Sequence, residues 1–258
     1  MFIWNPELLE GFILAFLRVG TALMLLPVFG YNALPVQLKA GLAFLLAVLM
    51  APTASQALYS APPGVMGAAL AGISEVLVGL VFGMTAFLIL VGAEFAGTIV
   101  GMQMGFGIVT VIDPQLGDTS LLGQYYYMFA LMVFICLDLH LPLIRALGET
   151  FQLIPLGGAF FIDKLPMEYA RLSAQVFVVA VKFAAPVMAM MFITEMALGV
   201  IARVVPQMNV FIVGFPLKIG VGMWGLAISA PLFVYVAAKV FTMFENELRA
   251  LMVLLSGL

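Results

Sequence analysis

The chain has 258 residues, of which 65% are hydrophobic and 9% charged, and its mean hydropathy is +1.21. Soluble domains carry about 25% charged residues, so this composition excludes a water-soluble globule and indicates one integral membrane domain. The net charge of -3 argues for neither nucleic acid nor an anionic membrane surface as partner. Cys136 and His140 are the single cysteine and the single histidine, which excludes an intrachain disulfide, a cysteine-based metal site and any paired-histidine motif.

At ~20 residues per span, the chain holds roughly six apolar segments. The start, with Trp4 as an interfacial anchor and Glu7 and Glu10 as its first charges, has no basic region of a cleavable signal. Gly11–Pro27 is the first apolar segment and contains Arg18. Phe29–Leu38, with Gly30, Asn32 and Pro35, is a break, and Val36–Met50 follows with Lys39 inside it. Ala51–Gly64 reads as an uncharged surface loop punctuated by Pro52 and Pro62-Pro63.

Val65–Met104 is an almost unbroken apolar run carrying only Glu75 and Glu94. A helix that long exceeds a bilayer core of ~30 Å at ~1.5 Å per residue, so the run is either a hairpin or a helix extending beyond the membrane. Gly79 and Gly83, and Ala93, Gly97, Gly101 and Gly105, recur at every fourth position and permit close helix approach, within this chain or to a neighbouring subunit.

Gly101–Ser120 contradicts its surroundings. Gly101, Gly105 and Gly107 disfavour helix, Asp113-Pro114 stops one, and Asp118, Thr119 and Ser120 offer an N-cap for the next. Between them Phe106–Ile112 is apolar and rich in β-branched residues, a composition expected to be extended and enclosed by protein rather than solvated. Leu121–Leu137 is apolar again, and Pro142 cannot bond the Asp138 carbonyl, which predicts a kink or stop. Arg145–Arg171, dense in charges of alternating sign, is expected to be an aqueous loop with a short amphipathic piece. Leu172–Ile201 and Val210–Phe244 are the last long apolar segments, joined by Arg203–Lys218, and Glu245–Leu258 reads as a short tail. Positive-inside counting favours Arg203–Lys218 as cytoplasmic.

Arg18, Lys39, Glu75, Glu94, Lys182, Glu195 and Lys239 all lie inside apolar segments. A charge at a helix centre costs ~2.5–3.5 kcal/mol, so these residues must pair, line a hydrated path or sit outside the hydrocarbon. For Lys182 and Glu195, a buried interhelical ion pair and the ion sites of a secondary transporter are both open, the second because Pro186 frees the Lys182 carbonyl. An intramembrane protease is disfavoured, since neither H-E-x-x-H nor G-x-S-x-G occurs and Asp113 lies in a loop.

Several short motifs follow one another over some 200 residues. They are Arg18-Val19-Gly20, Pro27-Val28-Phe29-Gly30, Pro35-Val36-Gln37-Leu38-Lys39, Glu75 with Gly79 and Gly83, Gly101–Gly107 before Asp113-Pro114, and Glu195-Met196-Ala197-Leu198-Gly199 before Arg203. Pro206-Gln207-Met208-Asn209-Val210-Phe211 and Gly214-Phe215-Pro216-Leu217-Lys218 complete the series. In this order the chain resembles the FliR family, the R subunit of the flagellar protein-export gate, related to the T subunit of injectisomes.

The resemblance implies an all-α, non-enzymatic subunit without cofactor, assembled with P-type and Q-type subunits into a helical export gate in the inner membrane and flagellar basal body, partly raised out of the bilayer toward the periplasm. It further implies association with the A-type and B-type export components and passage of unfolded flagellar proteins. By the same resemblance, Gly105, Phe106, Gly107, Ile108, Val109, Thr110, Val111, Ile112, Asp113 and Pro114 form a channel plug within a loop spanning 106–118, with Met102 and Met104 as sealing residues. Residues 1–171 would be a P-like half and 172–258 a Q-like hairpin half, its cytoplasmic hairpin carrying Arg203, Pro206, Gln207, Asn209, Pro216 and Lys218. Arg18, Lys39, Glu75, Glu94, Lys182 and Glu195 would then be intramembrane or intersubunit charges.

Overall fold

A computed structural model describes residues 6–30, 35–54, 64–107, 120–158 and 165–256. Among the described residues there are seven helices: α1 (Pro6–Leu25), α2 (Val36–Ala54), α3 (Val65–Met104), α4 (Leu121–Cys136), α5 (His140–Leu153), α6 (Leu165–Val204) and α7 (Val210–Ser256). Three are long and apolar enough to cross a membrane: α3, α6, and α7 over Ile212–Ser256. The bent pair α4–α5 makes a fourth span if it is counted as one.

The hairpin alternative for Val65–Met104 is not what forms: α3 is one helix of 40 residues. Its glycines do not break it, and Gly72, Gly79, Gly83, Gly92, Gly97 and Gly101 each admit a close neighbour. Likewise α7 runs unbroken past Glu245, so the expected short tail is the last part of a helix reaching Ser256. The break at Asp138 is as expected. Asp138 takes a left-handed φ of 53°, and α4 and α5 meet at 76°.

The chain forms two compact units, and α3, α6 and α7 contribute to both. The first comprises Met1–Leu88, Asp138–Ser173 and Thr242–Leu258. Within it α1 packs on α2 and α2 on α5. α1 also meets the first part of α3 in matching order: Leu17 faces Gly72, Arg18 and Thr21 face Gly79, and Ala22 and Leu25 face Gly83. A Cβ at Gly83 would stand 2.7 Å from Leu25 and 2.8 Å from the Ala22 carbonyl, so the glycine spacing is used inside this chain.

The expected aqueous loop over Arg145–Arg171 is a correction. Its first part lies in α5, which buries Leu143, Ala146, Leu147, Thr150 and Phe151, and its last residues already belong to α6. The charges of α5 occupy only its outer face, with Arg145 exposed and Glu149 half-buried.

The second unit comprises Ile89–Leu137 and Ala174–Phe241. Phe233 is its aromatic centre, stacked on Phe183 at 4.4 Å and packed against Phe129 at 4.9 Å and Tyr126 at 5.6 Å. The Ala93–Gly105 ridge is again internal: Ala93 is buried, a methyl group at Gly97 would overlap the Leu122 carbonyl, and Gly101 lies beneath Ser120.

Candidate functional site: the buried ion pair and the foot of the glycine loop

In the first unit, two of the charges carried by apolar helices, Arg18 and Glu75, meet. Arg18 on α1 is fully buried, Glu75 on α3 is 1% exposed, and Nε and Nη2 of Arg18 donate to Oε2 and Oε1 of Glu75 at 2.5 and 3.0 Å. This bidentate fork is the geometry that a guanidinium and a carboxylate prefer. The rest of the guanidinium faces backbone. Nη1 donates to the carbonyls of Thr150 and Ile154 at 3.0 and 3.1 Å, Nη2 donates to Ile154 at 3.2 Å, and the plane lies 4.6 Å over the Phe151 ring.

Those carbonyls end α5, so Arg18 caps that helix from outside and places its positive charge at the negative end of the helix dipole. Glu75 Oε1 in turn accepts the Gly157 N–H at 2.6 Å, where Gly157 has a left-handed φ of 71°. The pair therefore holds α1, α3, the end of α5 and the turn after it together. Sequence reasoning named Arg18 and Glu75 and missed Thr150, Phe151, Ile154 and Gly157. The helical spacing of Leu143, Leu147, Phe151 and Ile154 was the available signal for α5; a carbonyl acceptor leaves none.

In the second unit, α3 stops at Gly105. Its φ is 92°, its N–H donates to Met102 at 3.1 Å, and Phe106 N–H reaches back to the Gly101 carbonyl at 2.9 Å. These are the two bonds of a Schellman ending, which needs a residue tolerant of positive φ. Ser120 caps α4 by accepting from Gly123 N–H at 3.2 Å. Ser120 Oγ would be 3.1 Å from a Cβ at Gly101, so the end of α3 and the start of α4 lie side by side. Ile108, Val109, Thr110, Val111, Ile112, Asp113 and Pro114 lie outside the described residues, and so does the remainder of the expected loop to 118.

Beside this foot is a groove of about 560 Å³ lined by Met102, Gly105, Gly107, Leu198, Gly214 and Phe215 among others. The Phe215 ring would stand 3.0 Å from a Cβ at Gly105. Met102 is 59% exposed at the groove, whereas Met104 is fully buried and fills the notch over Gly222. At the groove wall, Lys218 Nζ on α7 donates to Glu195 Oε1 on α6 at 2.7 Å.

Of the two readings open for Lys182 and Glu195, the ion pair between them does not form. The two residues stand on one continuous helix thirteen positions apart, about 20 Å at ~1.5 Å per residue, and both are exposed. Arg203, Pro206, Gln207 and Asn209 form the end of α6 and the turn into α7, with Pro216 and Lys218 in the first turns of α7. The Lys218–Glu195 bridge is partly solvated, so Glu195→Gln is expected to shift stability by no more than ~1 kcal/mol, read as a thermal midpoint in detergent. Of the other charges, Lys39 Nζ donates to the Gly30 carbonyl at 3.2 Å, and Glu94 is half-buried.

A family model described as bacterial export proteins, family 1, matches residues 9–244. The flagellar biosynthetic protein FliR of Bacillus subtilis (strain 168) is 35% identical over 255 residues, covering 96% of both chains. Flagellar biosynthetic protein FliR of Pectobacterium carotovorum is 28% identical over 228 residues, 88% of this chain and 87% of its own. That of Escherichia coli (strain K12) is 28% identical over 233 residues, 90% of this chain and 88% of its own. With long apolar helices throughout and a match that extends over nearly its whole length, this chain belongs to family 1 of the bacterial export proteins, among the FliR flagellar biosynthetic proteins.

Proposed function

We propose that this chain is a structural and gating subunit of the flagellar protein-export channel in the bacterial inner membrane and basal body, passing unfolded flagellar proteins. In this reading it assembles with P-type and Q-type subunits, contacts the B-type and A-type components, and catalyses no reaction. Residues 1–171 act as its P-like half and 172–258 as its Q-like half, with the hairpin around Pro206–Asn209 on the cytoplasmic side.

Phe106–Pro114 acts as the plug of the closed channel, flanked by Met102 and Met104. The observation that carries this reading is the foot of the loop. α3 ends in a Schellman turn at Gly105 and α4 begins under a Ser120 cap beside Gly101, so an apolar stretch is held at both ends by rigid helix termini. A residue such as Ile or Val exposed there to water gains nothing, whereas enclosure in a narrow protein channel buries it.

Replacing Ile108–Ile112 by Gly/Ser is expected to leave assembly intact and raise the ion conductance of the purified gate complex in planar bilayers. Conductance equal to that of the unaltered complex would refute the plug. The alternative, a stand-alone secondary transporter, is favoured by Lys182 on a helix containing Pro186. It predicts a chain that purifies stably alone.

A further inference from the structure

The exposed face of α6 carries a charge that neither lipid nor any described residue of this chain accommodates. Between Arg171 and Glu195, α6 carries no charge except Lys182 and is mostly apolar. Those flanking charges are 24 positions apart, about 36 Å at ~1.5 Å per residue, which matches a hydrocarbon core of ~30 Å. Any placement that keeps both flanks out of hydrocarbon sets Lys182, eleven positions after Arg171, near the midplane.

Its surroundings are apolar and outward-facing. Phe177, Val178 and Val181 are 59, 53 and 50% exposed, Phe192 and Ile193 are 64 and 67% exposed, and Ala185 and Ala189 are exposed between them. Lys182 is itself exposed and makes no ion pair among the described residues. Left against lipid, such a cation is costly enough to be rare in membrane helices. Snorkelling does not relieve it, because both membrane faces are some ten residues away.

We infer that this face of α6 is a subunit contact, and that its partner is an apolar helix of another export-gate subunit carrying an Asp or Glu opposite Lys182. Charge complementarity sets the carboxylate. The small side chains of Ala185 and Ala189, one and two turns on, let the partner backbone approach closely enough for a direct ion pair. The inference rests on the multi-subunit reading above and adds the element, the residue and the chemistry of the partner. It also assigns Lys182 to assembly rather than to ion transport.

Treating the purified gate complex with a water-soluble carbodiimide, which joins an amine to a carboxylate in contact with it, is expected to link Lys182 to an Asp or Glu of a different subunit. Peptide mass spectrometry would identify the link. In parallel, Lys182→Met is expected to lower copurification of the other subunits by at least about tenfold, since it leaves the opposing carboxylate buried and uncompensated, while Lys182→Arg retains most of it. Lipid exposure predicts the reverse, with Lys182→Met neutral or better than the native residue.

Copurification of Lys182→Met at the native level overturns the inference. So does a Lys182 link to an acid of this chain or of a second copy of it, or modification of Lys182 in the intact complex by a charged amine reagent. Those results leave the multi-subunit reading standing. A native chain that purifies alone would overturn both.

Discussion

Arg18→Met is expected to destabilise the protein by about 3–5 kcal/mol, because it leaves the Glu75 carboxylate buried without its counter-charge. The more discriminating result is the double variant R18M/E75M. For an isolated buried pair, exchanging both ions for apolar groups of similar volume is often neutral or stabilising. Here it is expected to remain destabilised, because the pair also satisfies backbone: the Ile154 carbonyl and the Gly157 N–H lose their side-chain partners together, while the Thr150 carbonyl keeps only the Ile154 N–H. Each buried group left unpaired costs about 1–3 kcal/mol. Arg18→Lys is expected to be intermediate, keeping the charge while losing the fork that reaches Glu75 and Ile154 at once. Thermal unfolding of the detergent-solubilised chain, with protease sensitivity after Ile154 as a local readout, checks the order. A double variant as stable as the native protein would mean that the capping of α5 contributes nothing.

Gly97→Ala is the second large effect. The added methyl group overlaps the Leu122 carbonyl and lies 2.8 Å from Gly123 Cα, and these are backbone atoms with no rotamer to yield. α3 and α4 must separate, which costs about 1–3 kcal/mol for overpacking. It also disturbs the seat of Ser120, so the loop foot moves with it. Gly220→Ala on α7 is the control: nothing lies within 4 Å of that Cβ, and the helix gains up to ~1 kcal/mol in propensity. Opposite shifts of the unfolding midpoint in the two variants are the expected result, and equal shifts would refute the close-approach account.

These two sites divide what was legible from what was not. The helix-ending role of Gly105, the cap at Ser120 and the bend before Pro142 are local, decided by which φ, donor or ring each residue possesses within a few positions. Composition likewise settles the membrane class, and the glycine spacing signals close packing. The partner of each charge was not legible. Arg18 and Glu75 are 57 positions apart, and half of the site around them consists of carbonyls that every residue type presents equally. Of the two readings open for Lys182 and Glu195, the ion pair between them does not form, because a continuous α6 keeps the two residues about 20 Å apart at ~1.5 Å per residue. Arg145–Arg171 misled, its charge density masking the apolar stripe that docks α5.

By itself, then, the sequence determined the membrane class, the family, the helix ends and the requirement that its intramembrane charges be compensated. Only the tertiary structure decided that Arg18 serves Glu75 and the end of α5, that Glu195 takes Lys218, and that Lys182 is left facing outward. The reason is physical: caps and breaks are short-range and depend on residue type, whereas compensation of a buried charge depends on which distant backbone and side-chain groups packing delivers within hydrogen-bond reach.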